Sequence, residues 1–346
     1  MSEVKPPPAW CIYWSKEAGW RMERDRPAKV GIVGAGSVGA TIAYAAMIRG
    51  VARQISLYDV NRSKVEAEVL DLNHGQLFAP EATVDGSDSI EALSGSDVVV
   101  ITAGARQNPG QTRTDLVAAN TRILEKLLPD VVRVAPGALL LMVTNPVDVI
   151  TELAVEMTGM PWQRVFGSGT VLDSSRFRFL IARACGVAVQ NVHAYIAGEH
   201  GDSEIPLWSS ASIGSIPLNQ WAVEGHGRLA AADKDRIFRN VRDAAYQVIQ
   251  GKGATNYAIG LAVTNILEAL LHDEKRVLPL SGRIGGFHGI EEVCLSLPRI
   301  VGRAGIELPL PVPMTVDEES GLMASANRIR AVLHEVKAAK VEKTQV

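Results

Sequence analysis

A glycine-rich loop near the start of the chain constrains the fold most. Gly34, Gly36 and Gly39 follow the spacing G-x-G-x-x-G, directly after an apolar strand predicted for Lys29–Val33, and a helix is predicted to begin at Val38. In that setting the first glycine permits a tight turn and the second lets a pyrophosphate approach the backbone. The third lets the helix and the strand pack closely. The loop therefore predicts a dinucleotide-binding βαβ unit.

An acidic residue ends the next predicted strand. Asp59 follows the apolar segment Gln54–Tyr58. A carboxylate at this place accepts hydrogen bonds from the adenosine ribose and repels a 2′-phosphate, so it favours NAD over NADP. The positive charges of Arg62 and Lys64 weaken this preference without reversing it.

Strands and helices alternate from Lys29 to about Gly167, and the second half mixes helices with short strands. Alternation favours right-handed crossovers and a parallel sheet. The sequence therefore predicts an α/β chain in which a Rossmann-type doubly wound parallel sheet is followed by a mixed α+β catalytic domain. We expect a dinucleotide-binding domain over residues 28–167 and a catalytic domain over residues 168–340.

The first 27 residues differ from the rest of the chain. They contain Trp10, Trp14 and Trp20 among prolines and charged residues, without clear periodicity. Two interpretations stay open: an extended arm that packs on a neighbouring subunit, or residues that precede a true start at Met22.

The charge and composition exclude several classes of protein. A net charge of −3 and a pI near 6.2 argue against nucleic acid or an anionic membrane as the main partner. The chain has no apolar run of the ~20 residues that span a bilayer, and its three cysteines form neither a disulfide framework nor a metal-ligand spacing. We expect a cytoplasmic protein with no metal, no membrane contact and no nucleic-acid partner.

Two short segments of the second half carry reactive side chains. Asp173 and Arg176 lie three residues apart, and His200 lies in the segment Gly198–Asp202. Histidine is suited to proton transfer near neutral pH, a carboxylate can fix its tautomer, and arginine grips a carboxylate through two parallel hydrogen bonds. With a dinucleotide loop in the same chain, these residues indicate hydride transfer on a small carboxylic acid.

From about residue 29 to 340 the chain resembles the lactate/malate dehydrogenase family, and in particular its bacterial L-lactate dehydrogenases. The segments that carry the resemblance are Gly34–Gly39, Thr102–Arg113, Val143–Pro146, Gly167–Arg176, Gly198–Asp202 and Gly253–Thr255. Their joint occurrence in this order is highly specific. The resemblance implies interconversion of lactate and pyruvate in lactate fermentation, with NAD as the cofactor.

The resemblance also implies roles for single residues. His200 would donate or accept the proton, oriented by Asp173, and Arg113 would polarise the carbonyl from a loop whose Pro109-Gly110 suits a lid. The residues expected to bind substrate are Gln107, Arg113, Asn145, Asp148, Asp173, Arg176 and Thr255. Those expected along the cofactor are Gly34, Gly36, Val38, Gly39, Asp59, Lys64, Gly104, Ala105, Val143, Asn145 and Ser168.

Gln107 favours pyruvate over oxaloacetate. In malate dehydrogenases the matching position resembles an arginine that pairs with the second carboxylate, whereas a neutral glutamine would leave that charge buried and unpaired, which costs several kcal/mol. Arg106 keeps the alternative open, because a slip of the loop by one residue would turn it towards the substrate. The remaining alternatives are another 2-hydroxyacid dehydrogenase and a non-catalytic NAD-binding protein, and the latter would be expected to lack part of the His200, Asp173, Arg176 and Arg113 set.

Arg178 and His193 match positions that form a fructose 1,6-bisphosphate site in bacterial relatives of the resembled family. A guanidinium and an imidazolium beside a two-fold axis can hold a diphosphate. The resemblance therefore implies an allosteric homotetramer, while the plain interpretation is a surface arginine and a histidine at the start of a strand.

Overall fold

The computed structural model describes residues 26–105 and 113–344. Within these residues the helices are α1 (Ser37–Ile48), α2 (Arg62–His74), α3 (Arg113–Val134), α4 (Val147–Thr158), α5 (Val171–Cys185), α6 (Ala231–Lys252), α7 (Tyr257–Leu271) and α8 (Val316–Thr344). The strands are β1 (Lys29–Val33), β2 (Gln54–Tyr58), β3 (Thr83–Ser87), β4 (Val98–Ile101), β5 (Leu139–Met142), β6 (Val165–Gly167), β7 (Val192–His193), β8 (Ile196–Ala197), β9 (Ile205–Pro206), β10 (Ser212–Ile213), β11 (Ile216–Pro217), β12 (Arg276–Ile284), β13 (Val293–Gly302) and β14 (Gly305–Pro309).

A nine-stranded sheet runs through the molecule in the order β14-β13-β12-β6-β5-β4-β1-β2-β3. The six strands from β6 to β3 are parallel, in the doubly wound order that was expected. The three strands from β12 to β14 join antiparallel, through the pairing of Ser281 with Gly167. The predicted fold class is confirmed, and the parallel sheet continues into the second half of the chain as one sheet.

The central strands are buried on both faces because every side chain meets a helix layer. In β4, Val98 and Val100 pack with α1 and α7, whereas Val99 and Ile101 pack with α3 and α4. All four are at most 1% exposed, which explains the unbroken apolar run of this strand. Each such side chain stabilises the fold by about 1.5–3 kcal/mol.

Three features predicted from the sequence lie partly or wholly outside the described residues. The two interpretations of residues 1–27 concern a segment of which only residues 26 and 27 are described. The loop with Arg106, Gln107 and Pro109-Gly110 is also outside them, and Arg113 is described only as the first residue of α3.

In the described part of the chain, no helix combines the length and apolar character that crossing a membrane requires.

The glycine loop joins β1 to α1 at close range. Gly34 has φ +99°, and its amide donates to the Tyr58 carbonyl at 2.7 Å. A Cβ added at Gly39 would lie 1.9 Å from the carbonyl oxygen of Gly34. The first helical turn and the strand end therefore touch backbone to backbone, as the spacing predicts.

We expect Gly39→Ala to lower the Tm by at least about 5 °C, because backbone must shift to admit the methyl group. The matched control is Gly137→Ala, where an added Cβ meets nothing within 4 Å. Thermal unfolding of both variants checks this. Equal Tm values for the two variants would contradict the close approach.

Candidate active site

The beginning of α1 offers a surface suited to phosphate. Gly36 precedes the helix, and no side chain caps the first turn, so the first amide groups have no helical acceptor. A Cβ at Gly36 would meet a single atom within 4 Å, Nζ of Lys64 at 3.8 Å. Free amides, the positive end of the helix dipole and an ammonium group thus face one open space, which fits the pyrophosphate of a dinucleotide.

Asp59 is held in place by backbone groups. Its Oδ2 accepts from the Ala35 amide at 2.8 Å, and its Oδ1 accepts from the Asn61 amide at 2.9 Å. The carboxylate therefore lies directly beside the glycine loop, where it can accept hydrogen bonds from ribose hydroxyl groups. Its negative charge disfavours a 2′-phosphate there.

The remaining residues expected along the cofactor follow the carboxyl ends of the parallel strands. Gly104 and Ala105 follow β4, Val143 and Asn145 follow β5, and Ser168 follows β6. Ligands bind at this edge in doubly wound sheets, and β1 and β4 mark the switch point. The glycine loop lies at the same edge, so the structure brings the predicted cofactor residues together.

Asn120 of α3, which was not predicted from the sequence, links two of these segments. Its Oδ1 accepts from the Ala105 amide at 2.7 Å, while its Nδ2 donates to the Asn145 carbonyl at 2.7 Å. The residue is 1% exposed. A polar side chain within an otherwise amphipathic helix is a weak signal, and periodicity alone does not reveal its partners.

In the second half of the chain, His200 and Arg176 both contact the carboxylate of Asp173. Asp173 lies in the first turn of α5, and its Oδ2 is 2.5 Å from Nδ1 of His200. Its Oδ1 accepts from Nη1 of Arg176, one turn later, at 2.6 Å. Asp173 is 2% exposed, so this is a shared buried carboxylate and not a solvated surface ion pair. Since Nδ1 of His200 is engaged, Nε2 is the ring nitrogen that can exchange a proton with a substrate.

Asp148 of α4 fixes the backbone beneath the histidine. Its Oδ2 accepts from the His200 amide at 2.7 Å, and its Oδ1 accepts from the Ser296 hydroxyl at 3.2 Å. The residue is 1% exposed, and burial raises its pKa to about 6. The structure thus places this expected substrate-binding residue under the loop, where it positions His200.

The charges around His200 favour its protonated form. Burial lowers the pKa of His200, but the Asp173 carboxylate, with Asp148 and Glu204 behind it, outweighs burial and raises that pKa to about 9. The pKa of Asp173 is lowered, because His200 and Arg176 together outweigh the cost of its burial. The pair is therefore charged at neutral pH and able to donate a proton.

The other predicted residues lie elsewhere in the second half of the chain or outside the described part. Thr255 is half-buried in the segment between α6 and α7. Arg178 is on α5, where its Nε is buried without a hydrogen-bond partner among the described residues, and His193 is exposed on β7. Gln107 and the side chain of Arg113 lie outside the described residues. Glu204 was not predicted, and it is buried beside the His200–Asp173 pair.

Two family models match the chain almost end to end. The NAD binding domain of lactate/malate dehydrogenase matches residues 28–167, and the alpha/beta C-terminal domain of the same family matches residues 170–340. The chain belongs to the lactate/malate dehydrogenase family. The resemblance carried by the six motifs is confirmed, and so is NAD as the cofactor of the family's first domain.

The chain aligns with nearly the whole length of several named relatives in the family. An L-lactate dehydrogenase of Bifidobacterium animalis subsp. lactis is 50% identical over 306 residues, 88% of this chain and 96% of the relative. One from a Synechococcus strain is 45% identical over 309 residues, 89% of this chain and 99% of the relative. The solved minor L-lactate dehydrogenase of Enterococcus mundtii has a TM-score of 0.85 and 38% identity, and it covers 89% of this chain and 98% of its own. A lactate dehydrogenase from a Medee basin deep-sea metagenome has a TM-score of 0.86 and 36% identity, over 90% of this chain and 99% of its own.

Asp173→Asn should lower the pKa of His200 from about 9 by at least about 1 unit, because it removes the nearest negative charge. The imidazole resonances of His200, assigned with His200→Gln and followed against pH by NMR, measure this. Asp71→Asn, on the exposed face of α2, is the control and should leave the titration of His200 in place. An unchanged His200 pKa in Asp173→Asn would refute the assigned pairing.

Proposed function

We propose that this member of the family is an NAD-dependent L-lactate dehydrogenase that interconverts (S)-lactate and NAD+ with pyruvate, NADH and a proton. The observation that carries the proposal is the buried carboxylate of Asp173, shared between a proton-transferring histidine and an arginine. We also propose the division of the chain near Gly167 into a cofactor domain and a catalytic domain. The boundaries of the two matching family models support this division.

Proton transfer falls to His200. When bound, NADH supplies the hydride that is added to the carbonyl carbon of pyruvate. Nε2 of protonated His200 donates its proton to the carbonyl oxygen, and Asp173 stabilises the imidazolium that precedes this step. In the reverse direction neutral His200 accepts the proton of the lactate hydroxyl group.

Substrate binding falls to Arg176 and its neighbours. Its guanidinium presents parallel donors to the substrate carboxylate, and lysine could not match this geometry. Asn145 follows β5 at the edge of the sheet where we propose that the cofactor binds, so its side chain would contact the substrate beside the reacting carbon. The resemblance adds Thr255 to the pocket wall, Asp148 beneath the loop and Arg113 as the group that polarises the carbonyl.

The choice of pyruvate rests on Gln107 and on the relatives. A neutral glutamine leaves the second carboxylate of oxaloacetate without a counter-charge, which costs several kcal/mol. The relatives at 43–50% identity are named L-lactate dehydrogenases. Arg106 keeps malate dehydrogenase as the alternative activity.

Pyruvate should be reduced with a kcat/KM at least about 100-fold above that for oxaloacetate, since a few kcal/mol separate the two complexes. His200→Gln should lower kcat for pyruvate by about 10²–10⁴-fold while NADH still binds. Loss of NADH absorbance measures turnover, and NADH fluorescence measures binding. A preference for oxaloacetate would change the proposed activity from lactate dehydrogenase to malate dehydrogenase. Full activity of His200→Gln would overturn the role of His200 in proton transfer.

We further propose an effector site for fructose 1,6-bisphosphate in a homotetramer, with Arg178 and His193 as its ligands. The supporting observation is the unpartnered buried Nε of Arg178, on the same helix as Arg176 and two residues from it. An anion that binds and orders Arg178 can restrict the motion of α5, and thereby of Arg176, the residue proposed to bind the substrate carboxylate.

Fructose 1,6-bisphosphate should lower the KM for pyruvate by about 5-fold or more and stabilise the tetramer. Arg178→Gln should abolish the response, whereas Arg183→Gln, at an exposed position of the same helix, should keep it. Steady-state kinetics and sedimentation check both effects. If fructose 1,6-bisphosphate changes neither the KM for pyruvate nor the oligomeric state of the wild-type protein, this site is refuted.

A further inference from the structure

Glu204 is a buried carboxyl that the proposed reaction does not use. It directly precedes β9, and its amide donates to the Gly201 carbonyl at 3.0 Å, which closes the turn after His200. The residue is 5% exposed, and Oε1 is buried without a hydrogen-bond partner among the described residues. A buried, unpartnered carboxylate is costly, so its position calls for an explanation.

The carboxyl of Glu204 completes a cluster of three titratable groups. One of its oxygens, a ring nitrogen of His200 and a carboxylate oxygen of Asp173 all lie within 4.8 Å of one another. The charged groups that act on Glu204 come from three elements: Asp173 and Arg176 on α5, His200 on its loop, and Arg242 on α6. Two carboxyls and one imidazole therefore share one buried space beside a guanidinium.

Like charges at this separation cannot both be present without cost, so one carboxyl tends to hold a proton. Asp173 stays ionised because it accepts from both His200 and Arg176. Glu204 has no such hydrogen bonds among the described residues, and its burial, with Asp173 second, raises its pKa to about 8. At neutral pH the expected arrangement is a neutral Glu204 next to an ionised Asp173 and a protonated His200.

We propose that Glu204 is a positioning residue of the proton-transfer site, whose carboxyl is coupled to the His200–Asp173 pair and extends pyruvate reduction to higher pH. This rests on the proposed function for its kinetic consequence. As pH rises through about 8, Glu204 ionises and adds a negative charge beside His200. That charge favours the imidazolium, so His200 keeps the proton that pyruvate reduction requires at a pH where it would otherwise be lost.

Glu204→Gln tests the proposal because it keeps the size and shape of the side chain and removes the titrating proton. The alkaline limb of kcat/KM for pyruvate reduction should move to lower pH by about 1 unit, since a charge a few ångströms from His200 is lost. Glu204→Asp keeps a carboxyl and should return the limb towards its wild-type position, even if the maximal rate falls. Glu224→Gln, an exposed glutamate of the same half of the chain, controls for net charge and should not move it.

A merely structural role predicts a different result. It would lower the rate of Glu204→Gln at every pH and leave the midpoint of the alkaline limb unchanged, and this result would overturn the proposal. A midpoint that moves as far in Glu204→Asp as in Glu204→Gln would also overturn it, because charge would then not be the cause.

A second measurement separates this inference from the proposed function. His200 can be titrated by NMR in wild type and Glu204→Gln without any substrate, so the result does not depend on which acid the enzyme reduces. A pKa of His200 that falls in Glu204→Gln supports the coupling even if pyruvate is not a substrate. Equal His200 pKa values refute the coupling even if pyruvate is turned over.

Discussion

The site depends on one carboxylate that two cations share. Asp173 is 2% exposed, and its two oxygens are divided between His200 and Arg176. Without that charge, a guanidinium and an imidazole would lie side by side in a largely buried space, and repulsion would favour the neutral imidazole. The same interaction therefore favours the protonated form of His200 at neutral pH and fixes the tautomer of its neutral form. It also orients the guanidinium of Arg176, one helical turn away.

The antiparallel part of the large sheet gives this cluster a rigid support. The Gly198 amide donates to the Ser296 carbonyl of β13 at 2.9 Å, and the Ser296 amide returns a hydrogen bond to the Gly198 carbonyl at 3.0 Å. The Ser296 hydroxyl also donates to Asp148, which holds the His200 amide. Because β12 and β13 belong to the same sheet as the parallel strands, the loop that carries the histidine and the loops proposed to bind the cofactor are attached to one sheet.

The sequence predicts the features that have a period or a motif, and it misses those defined by tertiary partners. The glycine spacing, the strands Lys29–Val33 and Gln54–Tyr58 and the convergence of Asp173, Arg176 and His200 follow from local pattern and chemistry. The edge strand Thr83–Ser87 was missed because Val84 is its one buried side chain. Asn120 and Glu204 were missed because their neighbours come from distant segments, and the pairing of Gly167 with Ser281 spans more than a hundred residues.

Three buried carboxyls surround one imidazole, and the fold gives each a different proton affinity. Asp173, with two cationic partners, has a lowered pKa. Asp148 accepts from the His200 amide and the Ser296 hydroxyl, and its pKa is raised to about 6. The carboxyl of Glu204 has no hydrogen bond among the described residues, and its pKa is raised to about 8. The order follows the number and charge of the donors each one finds, because burial acts on all three. A histidine surrounded in this way stays protonated to higher pH than one with a single carboxylate partner, and the protonated form is the one that can supply a proton to a keto acid.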